Sequence, residues 1–438
     1  MAPNPTIMQA VERLGYRVTV GDVATQAGLN IDFAQQGLLT LASDAGGHLQ
    51  VAETGDVVYQ FPKNFRTIIR NKFLRLRLKE WWEKVWGILF YLIRISFGTI
   101  LILSIALIFV AIAIILASLN SNNDSDNSSS SHHSGGGGGF FFWFGPDWFW
   151  FFDPGYDRRY QQQRYESSAL PEERRQMNFL EAVFSFLFGD GNPNADLEER
   201  RWHDIATVIR NNQGAVAAEQ IAPYLEIEPR SGKDYDDYML PVLARFNGLP
   251  EVSPVGDIVY HFPELQTTAE ERNSQPVPFY LQEKPWRFSE AGSGQLIMAS
   301  ALGAVNIVGA LVLGSLLKGG IAAELGGLVA FVNSIYWILL GYGVAFLSVP
   351  LVRYFWIQFR NSRVEARNQK RKQQAIALHK ANPALQKKIA YASQFAAQKV
   401  IGRDDLAYTT ETDLIEQQIE QSDKIDAEWR RRLDESGY

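Results

Sequence analysis

The residues Gly55-Asp56-Val57-Val58-Tyr59-Gln60-Phe61-Pro62 (GDVVYQFP) return far downstream as Gly256-Asp257-Ile258-Val259-Tyr260-His261-Phe262-Pro263 (GDIVYHFP), identical at six of eight positions. A Gly-Asp pair gives a hairpin turn its backbone freedom, and the Val-Tyr-Phe alternation supplies the inward face of a strand. The match extends upstream as pattern. Val18-Thr19-Val20, Asp22-Val23-Ala24 and Leu29 parallel Ala215-Val216-Ala217, Gln220-Ile221-Ala222 and Leu225. Leu38-Leu39-Leu41-Ala42 and Met239-Leu240-Leu243-Ala244 follow, each read as a helix closed by glycine, Gly46 or Gly248. The chain therefore carries one small domain twice. The order helix, short strand, helix, helix, two-stranded wing predicts winged-helix-like units at 1–62 and 196–265.

A winged helix raises the question of nucleic acid, which its third helix would read. In the first copy that helix, Ile31 to Ala45, has no Lys or Arg; in the second, Asp234, Asp236 and Asp237 stand against Arg245 alone. Phosphate contacts need cations on the reading face. The units are therefore expected to bind protein, or each other, rather than DNA. Gly55, Asp56, Tyr59, Phe61, Pro62, Gly256, Asp257, Tyr260, Phe262 and Pro263 are the interaction candidates.

Between and after the copies the composition changes. Val85 to Leu119 holds one charge, Arg94, and exceeds the ~20 residues a helix needs to cross hydrocarbon. Leu296–Leu317 and Leu325–Val349 are two further spans, separated by a short turn and so expected as an antiparallel hairpin. Their small residues recur at helical spacing: Ala299 and Gly303, then Ala310 and Gly314, with Gly326, Ala330 and Ser334 opposite. Such spacing lets backbones approach closely. Gly303, Asn306, Gly314, Gly326 and Asn333 are the helix-packing candidates. The two amides could line a transport path, but interhelical hydrogen bonding accounts for them equally.

Basic residues crowd both outer flanks, from Lys63 to Lys84 and from Arg353 to Lys372, and both ask for the cytoplasmic or stromal side. Three alternating crossings would part those flanks. Two devices could reconcile them: a first segment that turns back around Gly98, or a re-entrant dip by Phe140–Phe152 (FFFWFGPDWFWFF). Phe140, Trp143, Trp148 and Trp150 are the membrane-interface candidates. FLEAVFSFLF, Phe179 to Phe188, is too short to span. It reads either as part of the second copy's core or as an in-plane helix on lipid or a membrane partner.

Net charge is −6 and cysteine is absent, so no global basic field, disulfide, thiolate chemistry or cysteine-held metal belongs to this chain. His132-His133 sits in a Ser/Gly-rich tether, His203-Asp204 in an amphipathic helix, and Gly292-Ser293-Gly294 lacks the lysine of a phosphate loop. No catalytic residue, cofactor ligand or metal site is read here. The N-terminus has no basic head before an apolar core, so a cleaved signal peptide is not expected.

The paired wings, the FFFWF and FWFFDP aromatic runs between Phe140 and Pro154, and FLEAVFSFLFGDGNP at Phe179–Pro193 together resemble an uncharacterised membrane family of cyanobacteria and chloroplasts. Plant members of that family carry the label "iron–sulfur cluster biosynthesis family". The resemblance implies a thylakoid or plasma-membrane location, and the lack of a plastid transit peptide favours a bacterial source. Without cysteine, an assembly role would be that of a partner or scaffold.

The expected fold is a multi-domain α+β membrane protein with two winged-helix-like repeats, about three transmembrane α-helices and a helical C-terminal tail. Its segments are repeat one at 1–62, a basic juxtamembrane helix at 63–84, the first span at 85–119, a disordered tether at 120–139 and the aromatic segment at 140–152. A linker with an amphipathic helix at 153–195, repeat two at 196–265, a linker at 266–295, the hairpin at 296–349 and the cytoplasmic tail at 350–438 complete it. The expected function is a membrane scaffold or regulator that presents duplicated interaction modules to a protein partner, the bilayer being its other partner. A membrane-tethered transcription regulator and a small-solute transporter are the alternatives.

Overall fold

The computed structural model describes residues 4–72, 74–123, 177–226, 237–271, 273–420 and 422–435. The chain is mixed α+β and mostly helical. It forms two compact units: Met1–Trp82 with Pro193–Pro285 and Ser362–Tyr438, and Glu83–Asn192 with Trp286–Asn361.

In the first unit each repeat builds a helix, a strand, two helices and two strands. Copy one runs Pro5–Arg13, β1 (Arg17–Thr19), Val20–Ala27, Ile31–Ala45, β2 (His48–Ala52) and β3 (Val57–Gln60). Caps fix its helix starts: Asn4 accepts from the Thr6 N–H, Thr19 and Asp22 form a reciprocal capping box, and Asn30 accepts from Asp32 and Phe33. Copy two runs Leu197–Asn211, β4 (Ala215–Ala217), Ala218–Ile221, Leu240–Phe246, β5 (Leu249–Val252) and β6 (Ile258–His261). Its second helix is cut short where Pro223 forces a 3-10 turn. Both sheets place the last strand centrally, β1-β3-β2 and β4-β6-β5, and the registers match: Tyr59 faces Val18 and Leu49, as Tyr260 faces Val216 and Pro250. Gly46 caps the third helix of copy one in the left-handed region, as anticipated. In copy two Asn247 takes that place, not Gly248, because asparagine tolerates this conformation.

One continuous core joins the copies, from Ile7, Val11, Leu38 and Phe65 to Ile205, Val216, Phe246 and Leu281. The region expected as a solvated helical tail does more. After the helix Pro383–Ala392, β8 (Lys399–Val400) pairs in parallel with β7 (Thr267–Thr268), and β9 (Leu406–Thr409) adds a fourth strand beside β2. Tail helices follow at Leu414–Glu420 and Ser422–Glu435. The helical periodicity of the flanks hid a four-residue strand whose formation depends on an edge supplied from far away in sequence.

Among the described residues, three helices are long and apolar enough to cross a membrane, in Trp81–Asn120, Ser293–Leu317 and Gly327–His379. The first is one uninterrupted helix, Leu74–Asn123, so the chain does not turn back at Gly98. Gly98 instead admits Leu180, whose Cα would lie 2.9 Å from an added Cβ. The helix Phe179–Phe188 belongs to the second unit and so does not complete the core of the second repeat. It buries Val183, Phe186 and Leu187 against Leu101, Ala299 and Phe346 of the three long helices.

Contacts between the long helices give their relative directions. The second and third long helices are antiparallel, Gly303 meeting Phe346 and Gly314 meeting Tyr336. The first and second run parallel, since Ser104 meets Asn306 and Ile108 meets Gly309. The start of the first and the end of the third therefore share one end of the bundle, with Arg94 and Arg353 both there. Asn123 belongs to the opposite end and Met177, which contacts Arg94, to the basic end.

Candidate interaction surface

The two Gly-Asp turns form hairpin turns. Gly55 and Gly256 have φ of +85° and +92°, which only glycine adopts cheaply, and each N–H closes the turn on Ala52 O or Ser253 O at 2.9 Å. The rest of the motif is not surface. Tyr59, Phe61, Tyr260 and Phe262 are buried in the shared core, so they hold the strands and are closed to a partner. Gly55, Gly256, Asp257 and Pro263 are exposed, while Asp56 and Pro62 are half-buried. The alternation that identified the repeat was the core side of the strand, a role that sequence identity alone does not separate from recognition.

The copies meet through close backbone approach and buried charge. A Cβ on Gly21 would lie 2.0 Å from Glu264 O, and one on Gly28 would lie 2.8 Å from His203 N. Asp22 is fully buried. Its carboxylate accepts from Thr19 N and Ala269 N at 3.0 Å and from Thr268 Oγ1 at 2.9 Å, and pairs with Arg210 at 2.9 Å. Arg245 donates through Nε and Nη2 to Gly28 O at 3.0 and 2.7 Å, and lies 4.4 Å over the Trp202 ring. Burial lowers the Arg245 pKa from its ordinary value. The cation that the second copy's third helix could have offered to phosphate is thus spent on holding the copies together.

The third helix of copy one buries Ile31, Ala34, Leu38, Leu41 and Ala42 and turns Asp32, Phe33, Gln36 and Leu39 outward. Phe33 is 47% and Leu39 44% exposed. An uncharged, partly apolar face with one acidic end is suited to a protein surface and unsuited to a phosphate backbone. The sequence reading places Leu39 only in the repeat pattern and gives neither residue a contact role, because a helix with apolar side chains on both faces blurs its own periodicity.

The linker that follows β6 is anchored by a buried carboxylate. Glu283 accepts from Arg367 Nε at 2.8 Å and from Arg371 Nη1 at 2.8 Å, while its backbone exchanges two hydrogen bonds with Asn368 at 2.9 and 2.8 Å. Burial alone would push this carboxyl up, but the hydrogen bonds from Arg367 and Arg371 outweigh it and hold its pKa below the ordinary glutamate range.

In the bundle, Asn306 is fully buried and exchanges hydrogen bonds with Ser104 at 3.1 and 3.3 Å. Gly303 and Gly314 sit where a Cβ would meet Phe346 at 2.6 Å and the Tyr336 hydroxyl at 2.0 Å. The other two packing candidates do not pack. Gly326 has φ of +59° with open space around it and ends the short helix Ile321–Leu325, and Asn333 is exposed on the third long helix. At the basic end Asp190 pairs with Arg94 and accepts from Ser185 Oγ and Glu290 N, and Arg353 donates to the carbonyls of Ser185, Phe186 and Phe288. These bonds close the C-terminus of Phe179–Phe188 and neutralise charges that face apolar surroundings.

Phe140, Trp143, Trp148, Trp150 and His132-His133 lie outside the described residues. Among the described residues no group of three or more His, Asp or Glu could hold a metal ion.

A chloroplastic protein of Arabidopsis thaliana, described as uncharacterised, is 39% identical over 442 residues, covering 98% of this chain and 82% of its own length. No family model and no solved structure matches the chain.

Proposed function

We infer a function from the premise that this chain belongs to the family of that Arabidopsis thaliana chloroplastic protein: it is a non-enzymatic membrane scaffold. Its two repeats are winged-helix modules fused back to back, and the outward third helix of copy one recruits a protein partner. The observation that carries this reading is the pair Phe33 and Leu39, exposed on a helix without cations, while Arg245 of the other copy is committed to Gly28. The apolar helices anchor the chain in a thylakoid or plasma membrane, with both basic flanks on the stromal or cytoplasmic side. A link to iron–sulfur assembly would be that of a partner or scaffold, because a chain without cysteine offers no thiolate to a cluster.

The test is crosslinking in intact membranes followed by purification of the full chain. A recurring protein partner is expected, and Phe33→Ala with Leu39→Ala should reduce its yield several-fold without changing the amount of chain. Recovery of the bare chain alone, or a yield untouched by both substitutions, would refute it. A gel shift with the full chain separates the regulator reading, for which no shift is expected.

A further inference from the structure

The two wings differ at their outer edges, and the repeat supplies the comparison. In copy one the edge of β2 is occupied. Leu49 N–H donates to Thr410 Oγ1 and Leu49 C=O accepts from Thr410 N–H, both at 2.9 Å, and Glu53 N–H donates to Asp405 O at 2.9 Å. Gln50, Val51 and Ala52 lie opposite Thr409, Tyr408 and Leu406, with a bulge between Val51 and Ala52. In copy two the residue that takes the place of Leu49, facing the wing tyrosine in the same register, is Pro250. Proline has no N–H to offer outward, and the next outward carbonyl, Val252 O, already accepts from the Tyr391 hydroxyl at 3.2 Å. One wing edge accepts a strand and its twin is closed by sequence.

The strand in the open edge is held by its backbone more than by its side chains. Ala407 and Tyr408 are exposed and Thr409 is half-buried; Leu406 alone joins an apolar cluster, with Ala52, Val58 and Ile401. Its far side is sealed by one side chain: Gln417 accepts from Thr409 N at 3.0 Å and donates to Thr409 O and Thr412 O. That amide stops a further strand from adding. Where main-chain bonds supply the hold, a strand of different sequence fits the same edge.

We propose that the outer edge of β2 is a strand-acceptor site for an extended segment of a partner protein, with Leu406–Thr409 as its built-in, displaceable occupant. The segment it takes is extended, presents a hydroxyl side chain opposite Leu49 and one apolar side chain opposite Ala52. This rests on the recruiting role proposed above and gives it a second surface, distinct from Phe33 and Leu39.

The probe is a fluorescent synthetic peptide of residues 403–413 added to the detergent-solubilised full-length chain. Tyr408→Pro with Thr410→Pro releases the native strand, so this variant should bind the peptide at least tenfold more tightly than the unaltered chain. Adding Leu49→Pro, which copies the closed edge of copy two, should abolish binding. Equal affinity for variant and unaltered chain, or binding that survives Leu49→Pro, overturns the proposal. Dimerisation of the released variant would give the edge to a second copy and overturn it as well. Should the proline variant not fold, amide exchange on the unaltered chain decides. Thr410 exchanging at least tenfold faster than Tyr59 supports displacement, and exchange of both at one rate overturns it. Partner recovery that depends on Phe33 and Leu39 stands or falls separately.

Discussion

Glu283 shows how a single side chain carries more weight than its position in a linker would suggest. Its buried carboxylate pairs with two guanidiniums, so removing it takes from buried Arg371 its one buried carboxylate partner and leaves only the half-exposed Glu226. Glu283→Ala is expected to destabilise the unit by about 3 kcal/mol, the cost of breaking a buried pair, measured by denaturant unfolding followed at an aromatic band. Its depressed pKa also fixes a sign. The stability it contributes is full above the unfolded glutamate value and is lost as pH falls through the lower folded value. The unaltered chain should therefore lose stability below about pH 4.5 more steeply than Glu283→Gln, the reference being the ordinary carboxyl range. In the bundle, Asn306→Leu removes one exchanged pair with Ser104 and is expected to cost roughly 1 kcal/mol, as interhelical hydrogen bonds in membranes do.

Elements are decided by what they pack against. The glycine at 314 is needed because the Tyr336 ring occupies the space of any side chain there. Gly314→Val should separate the second and third long helices and lower the detergent melting temperature, whereas Gly326→Ala, in open space but with a positive φ, should cost only about 1 kcal/mol. Pro250 makes the opposite kind of prediction. Pro250→Val restores an outward N–H beside exposed Leu249 and Val252, so light scattering should report more self-association with little loss of stability. An unchanged scattering profile would remove the edge-closing role assigned to this proline.

At the scale of the molecule, the parallel first and second long helices put the start of the first and the end of the third at one end of the bundle and the Lys318–Gly320 turn at the other. The chain has no cysteine, which makes labelling direct. Single Cys substitutions at Asn64, Asp196 and Lys380 should react with an impermeant maleimide from one side of sealed vesicles, and Gly319→Cys only from the other. Labelling of Asn64→Cys and Lys380→Cys from opposite sides would break the parallel arrangement.

Sequence alone determined the duplicated motif, its Gly-Asp turns, and the three apolar helices. Each is a local property: positive-φ glycines, period-two alternation and uninterrupted apolar length are all written within a few dozen residues. The tertiary structure decided which side of each pattern faces inward. It moved Tyr59, Phe61, Tyr260 and Phe262 from candidate contacts into the core, and Gly326 and Asn333 out of the helix interface. It gave β9 a partner strand, and it set the first two long helices parallel. Those outcomes depend on pairings between residues hundreds of positions apart, where free energy is gained only once both surfaces exist, and no local pattern encodes which two will meet.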